Sequence, residues 1–317
     1  MIISVLMSVF NDEKYLAKSI ESILNQSFTD FEFIIINDGS TDKTIEILEF
    51  YSSKDKRIKV IHQPNTGMTK ALNFGLSIAQ GKYIARMDSD DISFSNRFEI
   101  EVNYLEQHSD IDLVGGGTQI IDDKGNIIGY RNIYVKNPSK VLGHLNIYQH
   151  SDVMFRKSVL EKVGGYRDKY RNAQDHDLWL RISEVSKIAK IHNILGQWRL
   201  NASGYTIARN NEQNLEAAII KKSHQQRLKL GYDDYEQYLP APAITHGIKI
   251  DDDQYDYIVG CFMVHSLKLK EGREKIKPYM KRTNLYHPKL IYCLSYLPKL
   301  IVNLVFYIND QNKILFN

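Results

Sequence analysis

Apolar and polar positions follow two alternating rhythms along the first part of the chain. Residues 3–10, Ile-Ser-Val-Leu-Met-Ser-Val-Phe, are a short apolar run rich in β-formers and predict a strand. Asn11 is placed to cap the helix that follows, with Asp12 and Glu13 favourable near its N-terminus. Leu16, Ile20, Ile23 and Leu24 then recur at helical spacing. Residues 31–36 are nearly all apolar, as a strand covered on both faces should be. A polar turn at 37–42 leads into a helix over 43–53, a third strand over 57–63 and a helix over 68–79 that Gly81 ends. A fourth strand is predicted over 82–88. Strands and helices that alternate across short connections predict βαβ units around a mostly parallel sheet, with helices on both faces.

The rhythm then changes. Residues 111–133 read as strands joined by an Asp122-Asp123-Lys124-Gly125 turn, and 150–170 as a strand, a short helix and a glycine-rich stop. Residues 173–186 read as a helix whose polar start carries Asp175 and Asp177, followed by two short strands at 189–193 and 194–201. From about Gly204 the spacing is helical. The expected organisation is an α/β part over 1–204 and a mainly helical C-terminal region over 205–317.

Composition narrows the partners. A net charge of +3 is too small to imply nucleic acid. The two cysteines, Cys261 and Cys293, imply no disulfide framework. The N-terminus has an apolar run but no basic segment and no small-residue cleavage site, so a signal peptide is not expected and the expected location is cytoplasmic. The apolar stretch 290–308 approaches spanning length but carries Pro298, Lys299 and Asn303. A basic stretch, 268–282, precedes it. Such a pair fits peripheral contact with the cytoplasmic face of an anionic membrane. It equally fits a helical pair packed on the core or on a second copy in a homo-oligomer.

In open α/β sheets, ligands bind beyond the carboxyl ends of the strands. Three polar clusters fall at such ends, Ser8 to Asn11, Asn37 to Asp42 and Asp88 to Asp91, and the topology brings them to one rim. Asp88 and Asp90 can both reach one hard cation such as Mg²⁺ or Mn²⁺, which takes carboxylates together with substrate phosphates. A solvated acidic turn, with Asp91 or Ser95 capping the next helix, is the plain alternative. For residues 37–42 the alternatives are a turn capped by Thr41 or Asp42 and a nucleotide contact through Asp38. Asp175 or Asp177 could be a general base, and spacing does not choose between them. His62, His144, His150 and His192 have no metal-binding spacing. A Ser-His-Asp arrangement, a P-loop and a Gly-x-Gly-x-x-Gly are all missing from the sequence.

Taken together, residues 3–44, 65–91 and 150–182 resemble the family 2 glycosyltransferases, inverting enzymes of the GT-A fold. The likeness covers roughly residues 1–205. It implies that Ser8, Phe10 and Asn11 form the nucleotide-contacting first loop, with serine and phenylalanine where the family usually has proline and tyrosine. It implies further nucleotide-sugar contacts from Asp38, Asn73, Asp88 and Ser89, and metal ligation by Asp88 and Asp90. Asp175 matches the aspartate of the family's Glu-Asp pair, with Gln174 in place of the glutamate, and is the implied base. Gly165, Tyr166, Trp198 and Arg199 match the acceptor or closing segments. Asn201 stands where a histidine often approaches the metal, so no histidine ligand is implied.

The implied activity is transfer of a sugar from a nucleotide diphosphate, a UDP-sugar by the match at Asp38, to a hydroxyl of a glycan or lipid-linked acceptor. A divalent cation would assist the departing diphosphate and Asp175 would take the acceptor proton. Sugar and acceptor choice are expected in loops around Gly115–Gly117 and Gly164–Tyr166 and in the C-terminal tail. A nucleotidyltransferase would show a glycine- and arginine-rich first loop, where this chain reads Ser-Val-Phe-Asn-Asp-Glu. A phosphatase using two aspartates would carry them on its first strand. An inactive carbohydrate-binding relative would have no need of the set Asp38, Asp88, Asp90 and Asp175.

Overall fold

The computed structural model describes residues 1–132, 135–201 and 210–238, together with 271 and 274–276. The boundary at 204, both cysteines, the stretch 290–308 and nearly all of 268–282 lie outside the described residues. The described chain falls into two compact units. The larger holds 1–118, 132–198 (without 133–134) and 210–238; the smaller holds 119–131, 199–201 and the four later positions.

Strands β1 (Ile3–Val9), β2 (Phe31–Asp38), β3 (Ile58–Gln63) and β4 (Tyr83–Arg86) alternate with helices α1 (Leu16–Leu24), α2 (Thr44–Lys54) and α3 (Met68–Ile78). β5 (Ile92–Ser93) and α4 (Arg97–Gln107) follow, then β6 (Ile111–Ile121), β7 (Ile127–Arg131) and α5 (Pro138–Leu142). The remaining elements are β8 (Val153–Arg156), α6 (Leu160–Val163), α7 (Gln174–Val185), β9 (Lys187–Arg199) and α8 (Asn210–Leu230). The sheet order is β3-β2-β1-β4-β8-β6-β9-β5, with β7 paired to β6. β3, β2, β1 and β4 are parallel, whereas β8 runs antiparallel to both β4 and β6.

Every residue of β2 is buried, because side chains alternate between two covered faces. Phe33 and Ile35 join Val5 and Met7 against α1, α2 and α4 through Leu16, Ile20, Leu48 and Phe98. Ile34, Ile36 and Leu6 face the other way, onto Leu72 and Leu76 of α3, Leu178 and Ile182 of α7 and Ile220 of α8. The period of two thus feeds two cores, one on each side of the sheet.

Several local expectations change. Asn11 does not cap α1, whose N-cap is Tyr15 without a side-chain hydrogen bond. Asn11 is instead left-handed, at φ 50, a conformation to which Asn is suited. Residues 187–199 form one strand rather than two short ones. Gly115–Gly117 are not a loop but the middle of β6, and all three are buried. A Cβ at Gly115 would lie 2.6 Å from Tyr148 Cδ1, and one at Gly116 2.4 Å from Leu195 Cγ. Packing, not substrate choice, accounts for those glycines.

Candidate active site

Parallel pairing aligns the strand ends. Val9 lies opposite Asn37, Asp38 opposite Gln63, and Leu6 opposite Arg86. The loops leaving β1, β2 and β4 therefore start from one edge, and they are tied to each other. Asn11 Oδ1 accepts from Thr41 N at 2.7 Å, and its own N–H donates to Ser40 Oγ at 3.0 Å. Glu13 and Asp42 accept reciprocally from Lys43 N and Glu13 N. Ser89 Oγ donates to Asp12 Oδ2 at 2.6 Å, which fastens the first loop to the Asp88–Asp91 turn. Ser8 is half-buried at the end of β1, and the Phe10 ring beside it is half exposed.

Asp38 is buried and spends its carboxylate on the loop before α3. Oδ1 accepts from Thr66 N and Gln63 Nε2, both at 2.8 Å, and more weakly from Thr66 Oγ1 at 3.3 Å. Oδ2 accepts from Gly67 N at 2.8 Å, which leaves this oxygen one lone-pair direction. Gly39 makes the approach possible. At φ 80 it has a conformation that glycine tolerates, and a Cβ there would lie 2.7 Å from Asn65 N.

Arg86, fully buried at the end of β4, holds the acidic turn. It donates to the carbonyls of Leu6 and Met87, and its Nη2 reaches Asp88 Oδ1 at 2.5 Å. Ser151 meets Asp88 Oδ2 at 3.0 Å and Asp91 Oδ2 at 2.5 Å, and accepts from Asp88 N at 3.1 Å. Ser19 Oγ donates to Asp88 O. Burial pushes the Asp88 carboxyl up, but the Arg86 guanidinium, His150 and the bonds from Ser151 and Arg86 outweigh it and hold it below the usual range. Asp90 is half-buried on the same turn.

Among the described residues, no three His, Cys, Asp or Glu gather into a group that could hold an ion. Two hard carboxylates on a fixed turn do fit Mg²⁺ or Mn²⁺ of the kind completed by substrate phosphates.

A buried trio joins this turn to α7. His150 Nε2 and the Tyr166 hydroxyl are 2.9 Å apart, and the His150 ring packs edge-on to Trp179. Burial lowers the His150 pKa to about 4, with Arg86 in the same sense and Asp88 and Asp175 opposing. Burial also raises the Tyr166 hydroxyl; Arg86 opposes this while Asp175 and Asp88 add to it. At neutral pH the pair is therefore a neutral imidazole and a neutral phenol. Ser151, next to His150, bonds Asp88, and Trp179, on the helix that carries Asp175, packs on the His150 ring, so the turn and α7 meet at His150.

The structure separates the two candidate bases. Asp177 is fully buried and bound to Arg181 at 2.8 Å, with Arg167 at 3.8 Å, so it serves the interior. Asp175 is half-buried in the first turn of α7, and its Oδ2 accepts from Asn146 Nδ2 at 2.8 Å. Asn73 gives both ends of its amide to the backbone of Tyr166, at 2.7 and 2.8 Å, and so holds that loop. A cavity of about 460 Å³ borders the loop, lined by Lys70, Asn73, Gly165, Tyr166 and Arg181 among others.

β5 pairs antiparallel with β9, Ile92 opposite Gln197, so the next positions outward are Asp91 and the half-buried Trp198. In the smaller unit, Arg199 is buried and donates to Asp122 O at 3.2 Å, and Asn201 is buried.

Sequence pattern singles out neither Ser151 nor Asn146, which lie in stretches without periodicity. Arg86 was legible in principle. An arginine inside an apolar strand needs a partner, and Asp88, two residues on, shares its face.

Comparison with known proteins gives the family and the fold. The family model described as "Glycosyl transferase family 2" matches residues 4–164, just over half of the chain. The chain is 35% identical over 247 residues to the putative glycosyltransferase EpsE of Bacillus subtilis, covering 76% of this chain and 88% of that protein. It is 38% identical over 182 residues to the O-antigen biosynthesis glycosyltransferase WbnJ of Escherichia coli, covering 57% of this chain and 71% of that one. Among solved structures, S. aureus TarS in complex with UDP-GlcNAc superposes with a TM-score of 0.58 at 18% identity, covering 87% of this chain and 79% of that one. The mannosyltransferase PcManGT of Pyrobaculum calidifontis, in complex with GDP-Man and Mn²⁺, gives 0.55 at 12% identity over 98% and 87% of the two chains. The shared fold is GT-A, and the chain belongs to glycosyltransferase family 2.

Proposed function

We propose that this enzyme is an inverting transferase that moves a sugar from a UDP-sugar to a glycan or lipid-linked hydroxyl, with Asp175 as base. The observation that carries the reading is that the Asp88–Asp91 turn, bonded by Ser151, and helix α7, which carries Asp175, meet at the His150 ring. Asp38 supports uracil, because its Oδ2 keeps a lone pair for a ring N–H. The UDP-GlcNAc bound by TarS and the O-antigen role in WbnJ's name support a UDP-sugar and a cell-surface glycan.

Asp90, with Asp88, would hold the Mg²⁺ or Mn²⁺ ion, whose positive charge favours a leaving diphosphate. Arg86 fixes Asp88 in the ionised form and in one orientation, and Ser89 with Asp12 keeps the turn against the first loop. With Oδ2 held by Asn146, Asp175 directs Oδ1 to the acceptor. The acceptor oxygen forms a bond to the anomeric carbon while the bond from that carbon to the diphosphate oxygen breaks. The bonding pair leaves with the diphosphate and the acceptor proton passes to Asp175. One displacement inverts the configuration, whereas retention through a covalent intermediate would need a carboxylate nucleophile.

The test is UDP release from a panel of UDP-sugars, UDP-GlcNAc first, with wild type and Asp175→Asn. A general base contributes roughly 10²–10⁴-fold, so Asp175→Asn should lose at least 10²-fold in kcat with UDP affinity unchanged. Full activity in that variant would remove Asp175 from the mechanism.

A further inference from the structure

Helix α7 begins without a cap of its own, since Ala173 at its N-cap offers no side-chain hydrogen bond. The backbone that leads into it is held instead from α8, beyond the stretch that the family model matches. Glu216 is buried, and its carboxylate faces the three residues that precede α7. Oε2 accepts from Arg171 N at 3.0 Å, Asn172 N at 2.7 Å and Ala173 N at 3.1 Å, and Oε1 from Asn172 Nδ2 at 2.9 Å. A carboxylate at a helix N-terminus is also favoured by the helix dipole.

We infer that Glu216 is a positioning residue for the reaction: it fixes the backbone that carries Asp175, while Asn146 fixes the Asp175 side chain. This rests on the reading of Asp175 as the base. Ala173, the last residue clamped, is two positions before Asp175, so a shift of this segment is passed directly to the carboxylate. Misplacement by about 1 Å can cost 10²-fold in rate. The docking of α8 does not depend on Glu216 alone, because Arg227 binds Glu184 of α7 at 2.8 Å and Ser223 meets the Tyr170 hydroxyl at 3.2 Å. A variant at 216 should therefore keep the fold.

The experiment compares wild type, Glu216→Ala, Glu216→Gln and Asp175→Asn in the full chain. UDP release is read with the UDP-sugar that wild type turns over fastest, UDP binding by calorimetry, and amide exchange over 171–176. Glu216→Ala should lose at least tenfold in UDP release per UDP-binding site. Its UDP Kd should stay within twofold of wild type, and amides 171–173 should exchange at least tenfold faster. Glu216→Gln, which keeps one acceptor oxygen, should fall between the two. A wild-type rate in Glu216→Ala beside an inactive Asp175→Asn would overturn the positioning role and leave the base intact. A wild-type rate in Asp175→Asn would instead overturn the base, and the positioning role with it. Unchanged exchange at 171–173 would show that Glu216 does not hold this backbone and would overturn the positioning role, and a lower melting temperature with the rate per UDP-binding site preserved would reduce Glu216 to a structural anchor.

Discussion

A buried arginine is costly unless its charge is met, and Arg86 is met by Asp88 and two backbone carbonyls. The same charge keeps its neighbour His150 neutral, with burial as the larger cause. The sign of the resulting pH dependence follows. An unfolded chain binds a proton at His150 near the ordinary histidine value, whereas the folded chain resists it down to about 4. Between those values the unfolded state holds more protons, so the contribution of His150 is fully present above the ordinary value and is lost as the pH falls toward 4. His150→Gln should flatten the fall of melting temperature across that window, measured against wild type; His176, lowered to about 4 by burial, still adds to the slope, and Glu101, raised to about 7 by burial, opposes it. An unchanged slope would mean that His150 titrates normally. Residue roles were partly legible. The turn at 88–91 stood out because acids crowded at a strand end need a reason. Ser151 and Asn146 did not, because their roles exist only once β8 and α7 come against β4.

At the scale of elements, the period of two in β1 and β2 and the helical spacing in α1 and α3 foretold both layers, since each pattern is set by local burial. The remainder depended on tertiary pairing. β9 reads as two strands that divide after Asn193, yet its place in the sheet between β6 and β5 carries one strand through that position. The sequence predicts a helix stop at Gly81, but α3 has already ended at Ile78. The glycine is needed because the chain passes β1 closely: a Cβ there would lie 2.4 Å from Ser4 N and 2.6 Å from Ile3 C. Backbone cannot yield as a flexible side chain can, so Gly81→Ala should cost about 1–3 kcal/mol, the usual range for overpacking. Urea unfolding should show a lower midpoint with the same slope. An unshifted midpoint would mean that the strand edge has room.

In the whole molecule, loops far apart in sequence start from one edge, which under the proposed function is the donor site. Parallel pairing of β1, β2 and β4 supplies the edge, and the bonds Asn11 to Thr41 and Ser89 to Asp12 stitch the loops together. This level was legible, because βαβ topology alone directs strand ends to one rim. The partners of single side chains were less so, as with the bonds of Asn73 to the backbone of Tyr166. The most direct measurement is calorimetric titration of UDP into wild type and Asp90→Ala, with Mn²⁺ and then with chelator. The donor site predicts UDP binding to wild type that weakens at least tenfold in chelator, and no such metal dependence in Asp90→Ala. Failure of UDP to bind wild type with Mn²⁺ present, or the same metal-dependent binding in Asp90→Ala, would contradict it.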